Sequence, residues 1–150
     1  MVERVADYPR PPRLEHVTKH VRVVKNGVVI ADTRRPARVL ETFHAPVYYI
    51  HPDDVSMASL AEAAGTSYCE WKGYAVYYDV LDVRRAAWAY REPYRGYESI
   101  AGWLAFYATH MDECTVDGEQ VTPQPGGFYG GWITKDLAGP FKGAAGTQGW

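Results

Sequence analysis

Cys69 and Lys72 stand three residues apart in the run Tyr68-Cys69-Glu70-Trp71-Lys72-Gly73. An ammonium close to a cysteine favours the thiolate, lowers the thiol pKa and raises its reactivity near neutral pH. The ordinary alternative is an inert buried cysteine, because free cysteine is among the most buried residue types, beside a lysine whose stem covers apolar surface. A second set is aromatic: Trp71, Tyr77, Trp88 and Tyr90. On neighbouring strands these rings would form a stacking platform for a flat ligand such as a base or a flavin ring. Cross-strand packing alone also accounts for them, at about 0.2–1 kcal/mol per pair. Trp71 beside Lys72 adds a cation next to an indole, a combination suited to clamping an anionic aromatic group.

The other chemistry-bearing residues form looser sets. Asp53 and Asp54 are adjacent and do not converge easily on one metal, so a helix cap explains them better. Asp79 and Asp82 lie near a strand end. Neither a phosphate-gripping glycine loop nor a convergent carboxylate pair marks metal-dependent nucleotidyl transfer. The five histidines, His16, His20, His44, His51 and His110, are scattered. Without a His-x-x-x-His or Cys-x-x-Cys spacing the sequence carries no zinc signature, and no metal or cofactor is expected. His44 and His51 would meet only across a short loop. Arg34 and Arg38, placed in one strand, would share a face and offer an anion contact. The plain alternative there is a solvated face with ion pairs of little worth.

The elements that must position these residues read mainly as strands. Valines and isoleucine alternate on both sides of Asn26-Gly27, a type I′ turn signal, which predicts strands at 20–25 and 28–33. Val39–Thr42 and Val47–Ile50 are further strands, punctuated by Pro46 and His51-Pro52. Asp53-Asp54-Val55 followed by Met57, Leu60, Ala61 and Ala64 has helical spacing, with Gly65 as its terminator. Tyr74–Val80 and Ala86–Tyr90 are rich in strand-forming residues and would pair. Residues 97–107 fit either a helix or a buried strand. Asp117-Gly118 marks a second hairpin. Residues 1–13 read as an extended arm, 14–122 as a single β-rich domain and 123–150 as an ordered arm packed on the domain or on a second copy. That last arm holds eight of the 14 glycines but also carries Phe128, Tyr129, Trp132, Phe141 and Trp150. These are rings that are costly to leave in water.

Composition agrees with a globular chain: 47% of its 150 residues are hydrophobic and 23% charged. A net charge of −2 argues against a nucleic-acid partner. Two distant cysteines and no apolar run of membrane-spanning length make a soluble cytoplasmic protein the expectation.

Several segments in order carry a family resemblance: Arg38-Val39-Leu40-Glu41-Thr42, Pro46-Val47-Tyr48-Tyr49-Ile50, Cys69-Glu70-Trp71-Lys72-Gly73, Ala75-Val76-Tyr77, Ala87-Trp88-Ala89-Tyr90 and Ala105-Phe106-Tyr107. Together they resemble the bacterial proteins grouped as domain of unknown function DUF427, over roughly residues 20–120. The resemblance implies a mainly β, compact antiparallel fold of the β-tent kind, with one or two short helices and a layout like methionine sulfoxide reductase B. Zinc-bearing relatives of that layout use two close cysteine pairs, which two cysteines cannot supply. The family's label mentions nucleotidyl transfer, and no residue constellation here supports it. The reading favoured is therefore a β domain with a small-molecule pocket lined by Cys69, Trp71, Lys72, Tyr77, Trp88 and Tyr90. The alternatives are a structural module acting as a homodimer through its aromatic tail, and a nucleotidyltransferase-like enzyme.

Overall fold

The computed structural model describes residues 2–126, 128–144 and 146–147. The first strands are β1 (Glu3–Arg4), β2 (Arg13–His16), β3 (Val21–Lys25), β4 (Val28–Thr33), β5 (Ala37–Leu40) and β6 (Val47–Tyr49). The middle of the chain gives β7 (Leu60–Cys69), β8 (Gly73–Val80), β9 (Val83–Ala89) and β10 (Ala105–Phe106). The last are β11 (Glu113–Val116), β12 (Glu119–Gln120), β13 (Thr122–Pro123), β14 (Trp132–Ile133) and β15 (Leu137–Ala138). Helical structure among the described residues is limited to three-residue 3-10 turns.

The strands form an all-β fold of antiparallel sheets with no closed barrel. One sheet has the order β10-β9-β8-β7, a second β12-β11-β3-β4 and a third β2-β5-β6. β13 pairs with β14, and β1 runs parallel to β15. Both predicted hairpins form. Asn26 and Gly27 have φ of 52° and 74°, and Asp117 and Gly118 have 49° and 83°, the positive values that type I′ turns require.

The β10-β9-β8-β7 sheet is covered on both faces because its strands alternate. Val76, Tyr78 and Val80 of β8 turn to one side, where Val21, Val23, Ile30, Leu104 and Phe106 complete a core. Ala75 and Tyr77 turn to the other, where Val39, Tyr49, Trp88, Tyr90 and Ile100 form a second one. A small third cluster joins Val5, Tyr8 and Leu40, with Phe141 against it.

The helix expected from Asp53 to Gly65 does not exist. Met57–Ser59 make one 3-10 turn and residues 60–69 are β7. The helical spacing there marks no core face, since Ala61 and Ala64 are exposed. The aromatic and β-branched run of β8 recruits the segment as its partner instead, so tertiary pairing overrides local periodicity. Gly65, with φ of 90°, sits where the β7–β8 register shifts between Glu62 and Thr66. There Arg85 Nη1 donates to the Ala64 carbonyl at 3.2 Å.

Asp53 and Asp54 lie inside a 3-10 turn rather than capping a helix. The cap is His51, whose Nδ1 accepts from Asp53 N–H at 3.0 Å. Asp54 instead accepts from the Thr33 hydroxyl at 2.7 Å and Arg35 Nε at 3.0 Å, and those bonds hold its carboxyl below the usual carboxylate range.

The strand expected at Val39–Thr42 runs two residues earlier, as Ala37–Leu40. It ends at Leu40, and a turn follows in which Phe43 adopts φ of 66°. Residues 97–107 resolve into a 3-10 turn at Glu98–Ile100 and strand β10. In the C-terminal stretch Trp132 is buried and its indole donates to the Phe106 carbonyl at 3.1 Å, while Phe128 is exposed. Trp150, expected as an anchor, lies outside the described residues. No helix among the described residues is long and apolar enough to cross a membrane.

Candidate functional site

The Cys69–Gly73 segment is the tip of the β7–β8 hairpin: Cys69 faces Gly73 across the ladder, and Glu70, Trp71 and Lys72 make the turn. Gly73 has φ of 104°, a region that side-chain-bearing residues rarely enter. An added Cβ would also stand 3.3 Å from the Tyr94 ring. Tyr94 N–H then donates to the Lys72 carbonyl at 2.9 Å, which fixes the turn. The result is a lysine aimed back over the sheet: Lys72 is only 8% exposed, and its Nζ lies 5.6 Å above the Tyr90 ring.

Beyond the turn, strand register gathers the aromatics. Tyr77 on β8 sits directly opposite Trp88 on β9, whose other neighbour is Ala105 on β10. Tyr107 packs on Trp88 with ring centroids 4.5 Å apart, and Tyr49 meets it edge-on at 6.5 Å. Tyr77 and Ser67 share a hydroxyl hydrogen bond of 2.7 Å. These residues border a cleft of about 600 Å³, and all six residues of the favoured pocket, Cys69, Trp71, Lys72, Tyr77, Trp88 and Tyr90, line it.

Arg34 and Arg38 do not join it. Arg34 sits exposed in the bend before β5, so the two are not on one strand face. Arg38 is buried between Glu15 and Glu3, whose carboxylates occupy its guanidinium. His44 and His51 part as well: His44 lies against Tyr129 at 5.3 Å and His51 against Trp103 at 5.3 Å.

The rest of the lining comes from residues outside the six predicted for the pocket. Glu41 and His44 enter from the turn after β5, and Tyr129 and Lys142 from the C-terminal stretch. Gln124 ties that stretch down, since its side chain accepts from Ala45 N–H and donates to the Lys142 carbonyl, both at 2.9 Å. Gly130 lies directly on Trp88, so close that a Cβ there would fall well inside contact distance of the indole. The Gly130-Gly131 pair between aromatics was the available signal: two residues without side chains let a backbone rest on a ring.

Burial sets the protonation of this lining. It pushes the phenols of Tyr49 and Tyr90 above their ordinary range and that of Tyr107 up to about 12. All three are neutral hydroxyls at physiological pH, able to donate or accept. Glu41 is offset by Arg10, 3.7 Å away. Among the described residues no carboxylate comes within ion-pair distance of Lys72 or Lys142, and no three His, Cys, Asp or Glu side chains gather as metal ligands.

An all-β domain of antiparallel sheets, with an aromatic cleft on one face of its central sheet, is the class these features define. The chain belongs to the family described as a domain of unknown function, DUF427, which it matches over residues 13–117. No curated protein matches it significantly. The cleft residues from Gln124 to Lys142 fall beyond the matched span.

Proposed function

We propose that the cleft binds a small ligand with a planar ring and an anionic group. The observation that carries this is Lys72. Its side chain is largely covered, no carboxylate among the described residues pairs with its ammonium, and that ammonium stands over the Tyr90 ring at the cleft wall, a cation–π contact worth about 0.5–2 kcal/mol. A bound anion completes the arrangement, and Trp71, Trp88 and Tyr90 supply ring faces beside it. Cys69 then lies in the wall of the site as a half-buried thiol. Nucleotidyl transfer draws no support from the lining, because Glu41 is engaged by Arg10 and no three His, Cys, Asp or Glu side chains gather among the described residues.

The test is a thermal-shift series with 2-naphthoate, flavin mononucleotide and adenosine monophosphate. At a hundredfold excess over Kd a bound ligand stabilises the fold by about 2.7 kcal/mol. Lys72→Met should abolish that shift while leaving the unliganded protein at least as stable. No shift with any of the three at millimolar concentration, or a shift that survives in Lys72→Met, would sink the reading.

A further inference from the structure

The turn that delivers His44 is held from several sides. Phe43 has φ of 66°, an uncommon conformation for a bulky residue. The Val5 carbonyl accepts from Phe43 N–H at 3.0 Å, and the Phe43 carbonyl accepts from Lys142 N–H at 2.7 Å. His44 N–H donates to the Glu41 carbonyl at 2.9 Å, closing the turn.

Within that frame the imidazole is oriented. Its Nδ1 lies 2.9 Å from the Thr42 carbonyl oxygen. A carbonyl only accepts, so Nδ1 carries the proton. Glu41 Oε2, 3.8 Å from Nδ1, stands on the same side. The side chain is 13% exposed and lines the cleft, with Tyr129 edge-on against the ring. Burial holds its pKa below the usual histidine value, against the pull of Glu41 and with a smaller push from Lys142 and Arg10. The neutral ring has its Nδ1 proton committed to the protein. Its Nε2 lone pair has no protein donor among the described residues.

We infer that His44 Nε2 is a hydrogen-bond acceptor for the ligand, which therefore carries an O–H or ring N–H donor as well as its planar ring and anionic group. This rests on the Lys72 reading and adds to it: Lys72 selects for charge, and His44 selects among planar anions for those with a donor. A cleft lined by phenols accepts either kind of ring. The imidazole discriminates because an analogue without the donor leaves a desolvated lone pair unmet.

The experiment compares acids of increasing length with and without a terminal hydroxyl: benzoate with 4-hydroxybenzoate, 2-naphthoate with 6-hydroxy-2-naphthoate, and biphenyl-4-carboxylate with its 4′-hydroxy form. Affinities are measured by calorimetry on the full chain. At the length that spans the cleft, the hydroxyl should tighten binding about three- to tenfold, the range of one net hydrogen bond. His44→Phe should erase that gain, so that each hydroxy acid binds no more tightly than its parent, and His44→Gln, which keeps an acceptor, should restore part of the difference. The ¹⁵N resonance of Nε2 should move on binding the hydroxy acid and stay in place with the parent. Parent acids that bind through Lys72 with no hydroxyl gain at any length overturn this inference alone, as does a gain that survives in His44→Phe. Failure of every acid to bind removes the Lys72 reading and this one with it.

Discussion

The two faces of the β10-β9-β8-β7 sheet are built from the same strands and end in opposite ways. On one face Val76 and Val80 meet Val21, Val23, Ile30 and Leu104, and the space is filled. On the other, Tyr77 and Trp88 meet Tyr49 and Tyr90, and the space opens into a cleft of about 600 Å³. Branched aliphatic side chains interdigitate and have no polar atoms to satisfy. Phenols and indoles offer a broad apolar wall with one polar tip, so they can border a void without stranding a donor. Alternation along β8 thus assigns a filled core to one side of a single strand and an open cleft to the other.

The largest contrast between the faces should appear in the two thiols. Cys114 belongs to the filled face, is 1% exposed, and burial pushes its thiol up to about 12. It reacts only through unfolding, which for a domain of about 5 kcal/mol stability suppresses the rate on the order of a thousandfold or more. Cys69, half-buried in the cleft wall, should react directly. Labelling with a thiol reagent, followed by mass spectrometry, reads both rates in one sample. Equal rates would mean that the cleft face is closed as tightly as the filled one.

Next in size is Leu104→Ala. Leu104 is 1% exposed in the filled core, and its truncation should cost about 2–5 kcal/mol in a denaturant melt. A loss under 1 kcal/mol would mean that the filled face tolerates a void as the open face does. Smaller still is Gly130→Ala, which presses a methyl into Trp88 and should cost about 1–3 kcal/mol. If the backbone at Gly130 yields instead of the ring, the stability loss shrinks and indole fluorescence shifts to longer wavelength. No change in either signal would mean that Gly130 does not rest on Trp88 in solution.

What the sequence made legible divides along the same line. Asn26-Gly27 and Asp117-Gly118 announce their hairpins because turn geometry is decided by two adjacent residues. Half of the cleft wall shares that locality: Cys69, Lys72 and Tyr77 belong to one hairpin, and Trp88 is the cross-strand neighbour of Tyr77. Glu41, His44, Tyr129 and Lys142 arrive from segments remote in sequence, held by the turn at Phe43 and by Gln124, and no periodicity connects them. The 60–69 segment misled for the converse reason. Its small residues fit a helix locally, and only the neighbouring aromatic strand makes it β7.

Strand β7 is also the exposed margin of its sheet, ten residues long and hydrogen-bonded on one side only. Such margins invite intermolecular β-pairing and, at high concentration, aggregation. The register shift at Glu62–Thr66 interrupts the regular row of backbone groups, and the Arg85 guanidinium covers the Ala64 carbonyl there. Irregularity in that strand therefore acts as colloidal protection: it denies a second chain the flat template on which fibrils grow.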